Sequence, residues 1–417
     1  MLKYMSQKEE IYIGLDVGSS KITAVVAKRE GEEHLSVIGV GTSHMTGLKK
    51  GAVVEIEETV SGISEAVEVA ERMAGVDIGQ ATVNINGGSI SSINSPGVVA
   101  VGRADKEITF DDVCRAEEAS QAIQMPANKD VISVFPRVFK VDDQEGIKDP
   151  IGMSGIRLEV ETHIVTVGIQ PRKNLHQVLA QAGIIVEDMV PSPLASAEAV
   201  AQKRQKDLGC VVIDIGAATT GITVFEDGEV LYTHVLPIGG SYITNDIAIG
   251  LRTSIDIAEK VKLRHGHAYR KGVSENTKID LSEIDIKEEA TVTQRQVAEI
   301  IEPRVEEILG MVRERLVEIE RESLLPAGAI ITGGTAKMPG IEEKAKEVLK
   351  LPAHIGQPHN LFGLTDKVYD PAMSVAVGLL LYNFQENKSI GSGGGSGKGT
   401  PSKATKTLKK IIKSFLP

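Results

Sequence analysis

The chain has 417 residues, 25% charged and 41% hydrophobic, which is an ordinary soluble composition on a length well beyond one typical core of about 100 to 150 residues. Aromatic residues make up only 3% and Trp is absent, so the core has to come from Val, Ile, Leu, Ala and Met. A formal net charge of -11 excludes a body that binds nucleic acid, and no run reaches the roughly 18 apolar residues of a membrane span.

The opening MLKYMSQKEEIYIGLD places charges where a secretory leader needs an apolar run. Cys114 and Cys210 stand far apart, without metal-ligand or redox-motif spacing, as expected in a reducing cytosol. After Glu386 every charged residue is a lysine, so an acidic body carries a basic tail suited to an anionic lipid surface.

In chain order, IYIGLDV, KITAVVAK and LSVIGVGT predict three strands, with Gly18 and Gly31 at the connections. Val60, Ile63, Val67, Val69 and Ala70 recur near helical spacing and predict a helix over 57–74. The stretch 81–167 is irregular, with a helix expected over 111–124 and a loop over 142–155, and reads as an inserted subdomain. After a helix over 172–182, CVVIDIG and TGITVFEDGEVLYTHVLP repeat the opening pattern, so the chain is a diverged internal duplication.

Residues 240–323 read as mostly helical. Within them a long periodic run over 293–322 contains Pro303, which should kink the helix or mark its true start. The strand AGAIITGG, the helix IEEKAKEVL and a last helix over 371–383 precede SIGSGGGSGKGTPSKATK, a flexible linker by composition.

The repeated device, IGLDVGSSKITAV at 13–25 and VIDIGAATTGITV at 212–224, ends a strand on Asp and turns on Gly and small residues. Such a turn lets backbone N–H groups approach phosphate closely, with Ser19, Ser20, Thr219 and Thr220 as added hydroxyl donors. Asp16 and Asp214 would face each other across a cleft, where two carboxylates suit a Mg²⁺ that keeps most of its waters. One copy alone is as well explained as a strand and a β-turn; two matched copies are not. IITGGTAKMPGIEEKA at 330–345 adds a strand, a Gly pair and a helix start suited to a nucleoside, or an ordinary strand-to-helix turn.

These three segments resemble the two phosphate motifs and the adenosine motif of the actin, sugar-kinase and DnaK-type chaperone superfamily. The resemblance implies an α/β, actin-like (ribonuclease H-like) duplicated two-domain fold with ATP and Mg in the cleft. IGGSYITNDIAIGLRTSIDIAEKVK at 238–262, IIEPRVEEI at 300–308 and GLLLY at 378–382 are similar to the FtsA family of bacterial cell-division proteins. The likeness covers nearly the whole chain. It implies nucleotide contacts from Asp16, Gly18, Ser19, Ser20 and Lys21 and from Asp214, Gly216, Ala217, Ala218, Thr219 and Thr220. It adds Gly239, Gly240, Asn245, Asp246, Glu259 and Lys262, then Gly333, Gly334, Thr335, Lys337 and Met338. Glu259 and Lys262, one helical turn apart, also read as a solvated ion pair. His265 and His267 read as a helix end in solvent, and no protein ligand to the metal is assigned.

The large insertion that actin, MreB and the chaperones place between the third strand and the first helix is missing. The extra stretch containing GGSISSINSPGVVAVG instead resembles the 1C subdomain of FtsA and of the pilus-assembly protein PilM. The implied units are 8–80 with 168–205, an insert over 81–167, 206–238 with 324–385, a helical subdomain over 239–323, a linker over 386–406 and a closing helix over 407–417. Before Pro193 the hydrolytic relatives carry Glu, and this chain has Ser192. That leaves Asp16, Asp214 and Glu198 as acids near the nucleotide, so ATP binding with slow or no hydrolysis is expected. ATP would then favour head-to-tail homopolymers.

The tail TLKKIIKSFLP sets Leu408, Ile411, Ile412, Phe415 and Leu416 on one helical face and Lys409, Lys410 and Lys413 on the other. It suits the headgroup layer of an anionic membrane or, less readily behind a Gly/Ser linker, a groove on protein. The resemblance implies the C-terminal peptide of the tubulin-like FtsZ as partner, with Arg304 as contact or as a plain solvated residue, and later division proteins as further partners. It places the protein in the cytoplasm, on the inner face of the membrane. The alternatives from the same superfamily are a PilM-like scaffold and a small-molecule kinase, for which no catalytic base is recognisable.

Overall fold

In the computed structural model, residues 10–31, 34–102, 105–123, 125–286 and 290–391 are described. Val, Ile and Ala dominate Ile11–Val17 and Lys21–Glu30, and β-branched residues favour a pleated, buried surface. The two strands pair antiparallel from Ile11 with Lys28 to Val17 with Ile22. His34–His44 continues the meander, and the parallel strands Gln80–Ile85 and Ile185–Pro191 extend the sheet on the other side. The short strand Leu361–Gly363 closes the far edge beside His34–His44. Helix Ile56–Ala74 covers this sheet with Ile63, Val67 and Ala70 of the expected face and with Ala66, while Val60 and Val69 are half-buried.

The second sheet repeats the plan. Cys210–Ile215, Thr220–Glu226 and Glu229–Leu236 form the antiparallel meander, and Gly328–Thr332 and Ala353–Ile355 add the parallel strands. Meander first and crossovers second, in the same order in both halves, is the structural form of the duplication. Two cores result, one joining the first sheet to Val212, Phe225 and Ile330 of the second and one confined to the second half. The first is closed by Ala376, Leu379 and Leu380 of helix Ser374–Gly391, and the second by Val305, Ile308, Leu309 and Val312 of helix Gln294–Glu318.

Between Gln80–Ile85 and Ile169–Gln181 the chain builds an antiparallel sheet in the order Ser91–Ala100, Arg157–Gly168, Lys129–Val141, Gln144–Ile147. Helix Phe110–Ser120 packs on it around Val113, Ala116, Leu158 and Val160. Strand Gln144–Ile147 falls where a loop is expected from sequence. It returns from a turn in which Asp142 is left-handed (φ 50) and pairs with Phe139 and Val141, a hairpin too short and polar to show as periodicity.

Two other expectations change. Helix Gln294–Glu318 starts at Gln294 and runs through Pro303, because the hydroxyl of Thr293 accepts the Gln296 N–H and caps the true N-terminus. The region expected to be mostly helical also contains a ribbon, Lys278–Asp280 paired with Thr291–Thr293. The last helix begins at Ser374, after a single turn at Pro371–Met373, and reaches Gly391.

Candidate functional site

The two hairpin turns have the same backbone. Gly18 N–H donates to the Lys21 carbonyl at 3.1 Å, and Gly216 N–H donates to the Thr219 carbonyl at 2.9 Å. Each turn follows a strand whose last turn-facing side chain is a buried carboxyl, Asp16 at 8% exposure and Asp214 at 9%. Burial pushes Asp16 up to about 7, opposed by the Lys21 charge and reinforced by Asp214. Burial likewise lifts Asp214 to about 6, against a hydrogen bond from Ser196. In both cases burial is the leading cause.

Residues that sequence reasoning missed hold them. Asn84 Nδ2 donates to Asp16 Oδ1 at 2.7 Å and to Ser192 Oγ at 3.0 Å, while its Oδ1 accepts the Val17 N–H at 2.7 Å. Ser192 is thus a link in the support of Asp16. The one visible signal is a polar Asn inside the apolar strand Gln80–Ile85; its meaning comes only from parallel pairing beside Ile11–Val17.

Around the second turn, backbone packs on backbone. Gly240 N–H donates to the Gly216 carbonyl at 2.9 Å, and Ser241 N–H to the Ala217 carbonyl at 2.8 Å. Ser241 Oγ and Thr335 Oγ1 add donors to the same two carbonyls at 2.7 and 3.3 Å. A Cβ on Gly239 would lie 2.6 Å from the Gly216 oxygen, and one on Gly333 (φ +86) would lie 2.3 Å from Asp214 Oδ1. Three expected segments, 216–219, 239–240 and 333–335, converge here.

Lys262 Nζ donates to the Gly240 carbonyl at 3.2 Å and to Thr244 Oγ1 at 2.8 Å, and pairs with Glu259 at 2.6 Å. That pair therefore stands against the same helix start rather than free in solvent. Lys337 pairs with Asp370 at 2.6 Å. Lys21, whose Nζ lies 3.6 Å from Met373 Sδ, is lowered by burial, opposed by Asp16 and Asp370 and reinforced by Lys337. The first and third motifs thus share one electrostatic neighbourhood.

Other expected residues have different surroundings. Met338 is buried in the second core, Asn245 is exposed, and Asp246 is bound by both arms of Arg304 at 2.6 and 3.0 Å. Thr220 donates its hydroxyl to the Ile238 carbonyl at 2.8 Å, whereas Thr219 Oγ1 accepts from Asn86 Nδ2 at 3.1 Å across the two halves. Ser19, Gly216, Ala217 and Ala218 are half-buried, Gly18 likewise, and Ser20 is exposed; Gly334 has room for a side chain. Glu198 does not join the acids: it is bound to Lys206 at 2.8 Å and to Gln385. At 100° per residue its side chain leaves helix Ser192–Val200 about 200° from Ser196.

Two buried carboxyls beside matched turns, glycines that admit no Cβ and lysines from two motifs fit a magnesium polyphosphate, whose metal would offset the buried negative charge. Among the described residues no cluster of three His, Cys, Asp or Glu side chains is placed to hold a metal ion. The tail residues Leu408, Lys409, Lys410, Ile411, Ile412, Lys413, Phe415 and Leu416 lie outside the described residues.

Two like-ordered sheets bearing paired Asp hairpins define the actin-like fold. Solved structures agree: the PilM-PilN type IV pilus biogenesis complex aligns with TM-score 0.64 at 18% identity over 89% of this chain and 98% of that one. MreB5 of Spiroplasma citri bound to ADP aligns with TM-score 0.56 at 14% identity over 92% and 99%.

The family follows from sequence. Residues 211–378 match the model described as cell division protein FtsA, and residues 87–166 match the SHS2 domain inserted in FtsA. Cell division protein FtsA of Pseudomonas aeruginosa is 39% identical over 380 residues, 91% of each chain. That of Bacillus subtilis is 41% identical over 373 residues, 89% of this chain and 83% of its own. The chain belongs to the FtsA family of cell division proteins.

Proposed function

We propose that the chain is an ATP-binding, polymerising adaptor that anchors the FtsZ ring to the cytoplasmic face of the cell membrane. The observation that carries the nucleotide reading is the repeated turn, closed by the same backbone hydrogen bond at Gly18 and at Gly216 and preceded each time by a buried Asp. In this reading Gly18–Lys21 and Gly216–Thr219 hold the phosphates, Gly239–Gly240 and Gly333–Thr335 lie along the nucleoside, and Glu259 with Lys262 faces the ribose. Asp16 and Asp214 would hold a hydrated Mg²⁺, which would supply charge neutralisation to the phosphates. Asn84 and Ser196 keep the two carboxylates in place. With Ser192 bonded to Asn84 and Glu198 to Lys206, Asp16 and Asp214 are the acids left beside the nucleotide, hydrolysis is slow, and ATP acts as a conformational ligand that favours head-to-tail assembly.

The tail helix supplies lipid affinity, weak for one chain and multiplied along a polymer. Arg304 is the proposed contact for the acidic FtsZ peptide; Asp246 fixes its guanidinium at 2.6 Å, and the Tyr242 ring lies 5.6 Å beneath it. Co-sedimentation with anionic vesicles, FtsZ and ATP tests the whole reading. Full-length protein carries FtsZ down, a truncation before Lys403 leaves it in solution, and Arg304→Glu binds vesicles without FtsZ. Recruitment by the truncated chain overturns the anchor, and recruitment by Arg304→Glu removes that residue from the contact.

A further inference from the structure

A second cavity, of about 970 Å³, lies away from the Asp hairpins. It opens where helix Ser192–Val200, the turn between Thr220–Glu226 and Glu229–Leu236, the strand Leu361–Gly363 and the end of helix Ser374–Gly391 meet the insert. In a chain with seven phenylalanines, Phe135, Phe225, Phe362 and Phe384 all line it, with Tyr382. Phe362 is 49% exposed and meets His34 edge-on at 4.9 Å. Phe225, Tyr382 and Phe384 belong to the first core, with Phe135 packed against it, so the core itself lines the cavity and Phe362 supplies its exposed aromatic surface. The polar lining is acidic in balance: Asp149, Glu198, Asp207, Asp227 and Glu229 outnumber Lys148, Lys203 and Lys206.

We propose that this cavity receives the chain's own C-terminal segment, 407–417, when no membrane is present. The segment offers what the lining lacks, with Leu408, Ile411, Ile412, Phe415 and Leu416 on one face and Lys409, Lys410 and Lys413 on the other. Reach is satisfied. Leu381, Phe384 and Gln385 of the closing helix are themselves in the lining, and that helix ends at Gly391, about 9 Å beyond Gln385 at 1.5 Å per residue. The Gly/Ser-rich stretch 392–406 has a root-mean-square span of about 20 to 23 Å, enough to turn back over that distance. Tethering at this length gives an effective concentration near the millimolar range, so a weak contact suffices. Docking also removes an apolar face that would otherwise be open to water.

Because the same apolar face serves cavity and lipid, the two are mutually exclusive, and the docked state subtracts from vesicle affinity in proportion to its population. This consequence rests on the membrane reading above; the docking itself does not. The test uses the full-length chain with photoreactive p-benzoylphenylalanine in place of Phe415, irradiated in the absence and presence of phosphatidylglycerol vesicles. Intramolecular cross-links to segments 225–230, 359–362 or 381–385 are expected without vesicles and should fade with them. Phe362→Ser, at a half-exposed position that leaves the thermal melt unchanged, should weaken the cross-link and raise the vesicle-bound fraction about threefold. Cross-links absent, directed elsewhere, or formed only between two copies overturn the proposal, as does a Phe362→Ser chain that matches the parent in both readouts. If the chain ignores vesicles altogether, the membrane reading fails while the cross-link map still decides the cavity's occupant.

Discussion

The turn Gly18–Lys21 carries Ser19, Ser20 and a lysine and stands partly open, whereas Gly216–Thr219 carries two alanines and is roofed by the backbone of Gly239–Ser241. Both have the same internal hydrogen bond and follow a buried Asp. The difference lies in what surrounds them. The first turn meets charge: Lys21 feels Asp16, Asp370 and Lys337. The second meets peptide, with the carbonyls of Gly216 and Ala217 each taking an N–H and a hydroxyl. One duplicated motif has become an electrostatic half and a rigid, form-fitting half, and substitutions should separate the two.

The largest effect belongs to the form-fitting half. In Gly333→Ala the new Cβ meets Asp214 Oδ1 at 2.3 Å and the Ile215 carbonyl at 2.7 Å, on a backbone at φ +86. Left-handed strain and overpacking together should lower stability by about 4 to 5 kcal/mol. Denaturant unfolding measures it, and a loss under about 1 kcal/mol would show that the second turn is not close-packed as described.

Next comes Asp16→Asn, which should stabilise the ligand-free protein while abolishing Mg-dependent nucleotide binding. The folded chain raises Asp16 from 3.8 to about 7, so between those values it holds more proton than the unfolded chain. Stability therefore falls as pH rises through that window. The variant escapes the fall, and its advantage should grow from nothing near pH 4 to about 4 kcal/mol above pH 7. Thermal melts at pH 5 and 8 give the comparison; equal gaps at both values would mean that Asp16 is not held in its protonated form.

What was legible in the sequence follows from range. Asp16 and Asp214 could be read because the hairpin is local and occurs twice. Helix Ile56–Ala74 could be read because its face repeats within a few turns. Asn84 could not, since its role depends on a strand 68 residues away from Asp16 in sequence. Glu198 was misplaced by helical phase: right helix, wrong face. Asp246 sits on the expected helix, yet a long-range arginine claims it. Met338 belongs to a motif whose turn was recognisable, but it is buried in the second core, the cluster that also holds Ile341 and Ala345. Local chemistry is written in short strings, and the partners that tune it are set by the sheet order.

The smallest effects should divide by kind. Lys21→Gln removes a charge with an Sδ neighbour at 3.6 Å, so stability should stay within about 0.5 kcal/mol. The ATP dissociation constant should rise about tenfold, an effect that shrinks in high salt because it is Coulombic. Ser241→Ala removes one donor to the Ala217 carbonyl, whose backbone N–H partner remains. That should lower stability by about 1 kcal/mol, with little dependence on salt. Isothermal titration with ATP and denaturant unfolding, each at low and high salt, resolve the pair. If the two variants respond to salt alike, the hairpins have not diverged into charge and form, and their likeness in backbone would extend to their chemistry.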